Sequence, residues 1–166
     1  MQDVLGFRPQ MGLQQLAERL AVTPTQGLHD LLVLGHRLGP AVVREVGHVA
    51  VAADAEIVVA GLTPESAKAA NIEVVTDAFP FRANGRAMTL EANTGFIRMV
   101  ARADNHLLVG IQGVGVGISE LSAAFSLAIE MGARLEDVAG TVFAHPTLSE
   151  GMLEAALKTL GQPIHI

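Results

Sequence analysis

Apolar positions recur with two different periods along this chain, and the change between them divides it. Leu13, Leu16 and Leu20 stand at helical spacing, with Gln14, Gln15, Glu18 and Arg19 between them, which predicts a helix. Thr23-Pro24 interrupts it, and a second apolar stretch over 28–38 stops at Gly39-Pro40. From His48 the texture shifts to Val and Ala, which predicts a strand over 48–59, ended by Gly61. Thr63-Pro64-Glu65 then opens a short helix: a capping hydroxyl, proline at the first helical position and an acid in the first turn. That helix ends near Asn71. A second strand is predicted over 72–81, with Pro80 at a sheet edge or strand end, and Asn84-Gly85 is a turn signal.

A β-hairpin is predicted over 95–110. Phe96, Arg98, Val100 and Arg102 point to one face, and Ile97, Met99 and Ala101 to the other. Ala103-Asp104-Asn105 supplies the turn, and 106–112 returns. Apolar residues on both faces imply a sheet covered on one side and partly on the other. A glycine-spaced junction leads to a helix over 118–131. Ile118, Leu121, Ser122, Phe125 and Ala128 trace its apolar stripe, and Gly132 caps it. A shorter helix over 135–143 follows, then a last helix over 148–160, opened by Thr147 and ended by Gly161. Strands followed by helices around a central hairpin make this an α+β chain with an antiparallel sheet. The domain division is a helical N-terminal segment of unknown role (1–47) and a second unit (48–166).

Composition narrows the chemistry. Half the residues are apolar, so a packed core is expected. With six Phe and no Trp or Tyr, aliphatic side chains must fill most of it. There is no Cys, which excludes disulfides, thiolate metal sites and thiol redox chemistry within these residues. The net charge is −6 and basic residues are dispersed, which argues against a nucleic-acid partner. No apolar run approaches the roughly 18 residues of a membrane span, and the N-terminus lacks a basic-then-apolar leader. A soluble cytoplasmic protein is expected.

The run from Gly110 through Gly113, Gly115 and Gly117 lies between a strand and a helix, as a nucleotide loop would. Yet Ile118 stands where a small third residue is needed, and Glu130 and Glu136 fall in or near helices rather than at a strand end. The run is read as a tight strand-to-helix turn with close backbone packing. His29 and His36 could share a helix face, but no third ligand is near in sequence, so they are read as surface or interface residues. Arg86, Arg98, Arg102, Glu91, Asp104, Asp77 and Glu73 are read as solvated charges, and Met88, Met99 and Met131 as core or interface filler.

The strongest site candidate is Ala144-His145-Pro146-Thr147-Leu148-Ser149-Glu150. Pro146 biases His145 to extended backbone, presenting an imidazole at a helix start. Glu150 could accept the other ring N–H and so orient that imidazole. The spacing Thr147-x-x-Glu150 is also a capping box, in which Glu150 bonds only the Thr147 N–H. The two roles are compatible, because a carboxylate has two oxygens.

This heptapeptide resembles the C-terminal active-site motif of dihydrolipoamide dehydrogenases, within the flavoprotein disulfide reductases. Residues 56–74, 79–88 and 95–141 and the terminal His165-Ile166 are similar to that family's interface domain, in the same order. The resemblance implies an antiparallel sheet of about four or five strands, backed by helices on one face. It implies that His145 is the acid–base catalyst and that Glu150 hydrogen-bonds it. It further implies a homodimer, formed through the sheet and C-terminal helices, that delivers the pair into the partner subunit's active site. FAD and NAD belong to the full-length family, which also implies a 2-oxo acid dehydrogenase complex as partner. This sequence carries neither a Gly-x-Gly-x-x-Gly nor a Cys pair, so no cofactor is expected to bind these residues alone. Where the family has an acidic-proline element, it reads Ala53-Asp54-Ala55-Glu56. Two alternatives are a subunit of a split oxidoreductase, paired with a separate flavoprotein chain, and a small hydrolase or isomerase using His145.

Overall fold

Five antiparallel strands form one sheet in the order β1-β2-β5-β4-β3. They are β1 (His48–Ala52), β2 (Ala55–Gly61), β3 (Val74–Pro80), β4 (Phe96–Arg102) and β5 (Leu108–Gly115). This computed structural model describes residues 48–52 and 55–166, with side chains from Glu56 onward. The helices expected within 1–47, with His29 and His36, lie outside the described residues. The expected α+β class with an antiparallel sheet holds.

Period-two alternation in β4 sets the two faces. Ile97, Met99 and Ala101 are fully buried and share a core with Val58 and Ala60 of β2, Phe79 of β3 and Ile111 of β5. The pairs Phe79↔Ile97 and Met99↔Ile111 place these side chains side by side. Three helices, α3 (Ser122–Glu130), α4 (Leu135–Ala139) and α5 (Glu150–Thr159), close this face with Phe125, Leu135, Val138, Met152, Ala155 and Ala156. On the other face α1 (Pro64–Ala69) covers a smaller cluster of Leu62, Ala67, Val100 and Val109. The expected uneven covering is therefore present. Thr63 caps α1: its Oγ1 accepts the Ser66 N–H at 3.2 Å, while Ser66 Oγ accepts the Thr63 N–H at 2.8 Å. Pro80 ends β3, which is itself an edge strand.

Four local expectations are corrected. The strand expected over 48–59 is two strands, paired from His48↔Val59 to Ala52↔Ala55. Small apolar residues on both sides of Asp54 gave no change of period to mark the reversal. Asn84-Gly85 is not a bare turn: Asn84 is the N-cap of a short helix, α2 (Gly85–Thr89), its Oδ1 accepting the Ala87 N–H at 2.9 Å. The helix expected over 135–143 stops at Ala139, with Gly140 as its C-cap, and Val142 beyond it is exposed. The glycine run is mostly strand, since β5 continues to Gly115 and leaves only Val116 and Gly117 for the turn. Of the methionines expected as core or interface filler, Met99 is core, and Met88 and Met131 lie exposed on the surface of the chain.

Close packing explains the glycines in β5. A Cβ on Gly110 would lie 1.8 Å from the Leu62 carbonyl oxygen, and one on Gly113 would lie 2.4 Å from Ile118 Cγ1. A Cβ on Gly115 would lie 2.9 Å from the Phe81 ring. The space beside each glycine is filled by this chain's own atoms. These residues do not fit the phosphates of FAD or NAD, which need open backbone approach.

Candidate functional site

Residues 144–149 lead into α5, and their position follows from how α5 seats on the sheet. Gly151, the second residue of α5, has no room for a side chain: a Cβ would sit 3.0 Å from Ile97 Cδ1 and 3.3 Å from Phe81 Cε1. The helix start therefore presses directly on the core. Leu148 packs against the same core from the preceding loop. Ahead of these anchors residues 144–146 are exposed, and the His145–Pro146 peptide is cis.

Hydrogen bonds complete the loop. His145 Nδ1 lies 2.8 Å from Glu150 Oε1. Glu150 Oε2 accepts the Thr147 N–H at 2.7 Å. Orientation of the His ring and support of the helix start thus coexist on one carboxylate, as its two oxygens allow. The rest of the capping box is not formed: the N-cap is Ser149 rather than the expected Thr147, no side chain caps the helix, and Thr147 Oγ1 donates back to the Ala144 carbonyl at 2.7 Å. It also lies 2.9 Å from Ser149 Oγ. Asn84 Nδ2 donates to the Thr147 carbonyl at 3.0 Å.

The two members of the pair sit in different surroundings. The His145 side chain is 77% exposed, against 21% for Glu150. Burial acts to raise the Glu150 carboxyl, but the Thr147 N–H and His145 outweigh it and hold the group below its ordinary value. A carboxylate accepting from Nδ1 favours the tautomer protonated there, which leaves the Nε2 lone pair directed to solvent. Among the described residues nothing else bonds the His145 ring. The arrangement can accept or return a proton at Nε2 for a group brought to it from outside.

Sequence reasoning missed two participants near this site. Glu154, one turn along α5 from Glu150, is 5% exposed and lies 2.6 Å from Nδ1 of His165 in the tail. A lone acid among Gly151, Met152, Ala155 and Ala156 was the available signal, since a buried carboxylate needs a partner. The second is Asn84, where the Asn-Gly pair signals only a turn and leaves its bond to the Thr147 carbonyl unmarked. A third pair, His106 Nδ1 with Glu136, ties the β4–β5 turn to the start of α4 at the surface. Among the charges read as solvated, Arg102 and Asp104 form an exposed ion pair, and Arg98 Nε donates to buried Gln112 at 2.8 Å. Among the described residues no group of three or more His, Cys, Asp or Glu could hold a metal ion, and no helix is long and apolar enough to cross a membrane.

Comparison with known proteins gives these features a context. Residues 48–156 match the model of the pyridine nucleotide-disulphide oxidoreductase dimerisation domain. The dihydrolipoyl dehydrogenase of Pseudomonas aeruginosa is 64% identical over 113 residues, which are 68% of this chain and 24% of that protein. The dihydrolipoyl dehydrogenase of Bacillus subtilis is 42% identical over 111 residues, 67% of this chain and 24% of that protein. Among solved structures, LpdA from Mycobacterium tuberculosis superposes with a TM-score of 0.65 at 26% identity, covering 75% of this chain and 27% of that one. The chain thus spans about a quarter of the length of the curated relatives it matches. With residues 48–156 matched to its dimerisation domain and the fold similar to that of LpdA, this chain belongs to the pyridine nucleotide-disulphide oxidoreductase family.

Proposed function

We propose that the unit formed by residues 48–166 pairs with a second copy and offers His145, oriented by Glu150, as the acid–base group of a dihydrolipoyl-dehydrogenase-like reaction. The observation that carries this reading is the asymmetry of the imidazole: Nδ1 is bound to Glu150 at 2.8 Å, while the ring is 77% exposed. A residue built only to cap a helix would not need to present its free nitrogen outward.

Thiol–disulfide exchange requires a thiolate. In the proposed step His145 Nε2 takes the proton of an incoming dithiol. The resulting thiolate attacks one sulfur of a disulfide, forming a mixed disulfide as the original S–S bond breaks. The proton on Nε2 goes to the departing thiolate. Glu150 stabilises the imidazolium between these events. The disulfide is assigned to parts outside these 166 residues, which contain no Cys, and the flavin and nicotinamide to parts outside residues 48–166, because the glycines of β5 are filled by the chain's own packing. A homodimer, cytoplasmic action and a 2-oxo acid dehydrogenase complex as the larger partner belong to the same proposal.

The test is a graft. Residues 48–166 replace the corresponding segment of the Pseudomonas aeruginosa dihydrolipoyl dehydrogenase. The graft should be dimeric by light scattering and should oxidise dihydrolipoamide. His145→Gln should cost roughly 10²- to 10⁴-fold in turnover, the range for loss of a positioned acid–base group. A monomeric graft, or full turnover after His145→Gln, would overturn the proposal.

A further inference from the structure

We propose that Asn84 is a positioning residue for the His145–Glu150 pair, acting by holding the Thr147 peptide in place. This inference rests on the role proposed above for that pair.

Asn84 and Thr147 are 63 residues apart, and the bond between them joins α2 to the His145 loop. Asn84 is 3% exposed, and both ends of its amide are used. Oδ1 accepts the Ala87 N–H at 2.9 Å as the cap of α2, which turns the NH₂ group away from that helix. There Nδ2 meets the Thr147 carbonyl at 3.0 Å. The Asn84 backbone is fixed as well, its N–H donating to Phe81 O and its carbonyl accepting from Met88 N–H.

Thr147 is consequently held from several directions. Its carbonyl is bound by Asn84, its hydroxyl by Ala144 O, and its N–H by Glu150. The N–H and carbonyl of Thr147 flank one α-carbon, so fixing the carbonyl limits rotation of the N–H toward Glu150 Oε2. That bond fixes the carboxylate, and the carboxylate fixes the ring. Capping α2 alone would need only Oδ1, which serine supplies as well as asparagine. The donor nitrogen is what serves the loop. Asn84 touches no reacting group, so its effect passes entirely through Thr147 and Glu150.

The experiment uses the full chain and two NMR readouts: the tautomer of the His145 ring from nitrogen shifts, and titration of the Glu150 carboxyl. Glu150→Leu, which removes both acceptor oxygens, is the reference and should abolish the preference for the Nδ1–H tautomer. Asn84→Ser keeps a capping oxygen but is too short to reach Thr147. It should shift the tautomer population measurably toward the reference. It should also move the Glu150 titration up toward the ordinary value of about 4.3. Asn84→Asp preserves shape and cap while removing the donor; it should move the tautomer in the same direction if Asn84→Ser does not fold. A lower melting temperature with tautomer and titration unchanged would overturn the proposal for Asn84 while leaving the pair intact. No tautomer change in Glu150→Leu would overturn the pair itself, and the role of Asn84 with it.

Discussion

His145 and Glu150 meet at 2.8 Å across a change of environment, the ring at 77% exposure and the carboxylate at 21%. Orientation is thus built into the protein's surface layer, while most of the ring stays outside it. Because the ring contributes little to packing, His145→Ala should lower stability by no more than about 1 kcal/mol, as expected for an exposed pair. Thermal denaturation checks this. A large loss would mean that the ring is structural.

The depressed carboxyl of Glu150 has a signed consequence for pH. A group titrating lower in the folded state adds stability that is present above its unfolded value of about 4.3 and lost as pH falls through the folded value. The urea midpoint of the native chain should therefore exceed that of Glu150→Gln near neutrality. The gap should close on acidification below about pH 4. A gap that persists unchanged at pH 3 would assign the effect to packing.

Glu154 gives a second stability test. Removing its partner by His165→Ala leaves a buried carboxylate without its bond, at a cost of about 1–3 kcal/mol. Glu154→Gln in the same background should recover part of this, because an amide is cheaper to bury than an unpaired charge. Chemical denaturation of the two variants orders them, and equal stability would count against the tail as partner of α5.

Two glycines of β5 should rank in a definite order. Gly110→Ala meets a backbone oxygen, Leu62 O, at 1.8 Å, and Gly113→Ala meets the Ile118 side chain at 2.4 Å. Gly110→Ala should cost at or beyond the upper end of the ~1–3 kcal/mol range for overpacked cores, and Gly113→Ala should fall within it. Shortening Ile118 to Val should recover part of the Gly113→Ala loss and none of the Gly110→Ala loss. Unfolding midpoints of the four variants check the ranking.

Much of this molecule was legible in the chain. Alternation at Ile97, Met99 and Ala101 assigned the core face of β4, because successive side chains of a strand must point to opposite sides. Thr63-Pro64 marked the start of α1, because a capping hydroxyl acts on groups within one turn. Less was legible where one texture served two elements: the Val- and Ala-rich stretch folded back as β1 and β2 without a polar boundary wide enough to register. The short α2 was hidden because Asn-Gly suits a turn and a helix cap equally well.

The site divides the same way. Local spacing alone brings His145, Thr147 and Glu150 within reach of one another, since they span only six residues and short spacing leaves little freedom. Which oxygen of Glu150 takes which donor, that Asn84 grips Thr147, and that His165 returns to Glu154 were decided by the tertiary structure. Those contacts depend on how α5 and α2 seat against the sheet, and packing between distant segments follows from the shape of the whole core rather than from any local pattern.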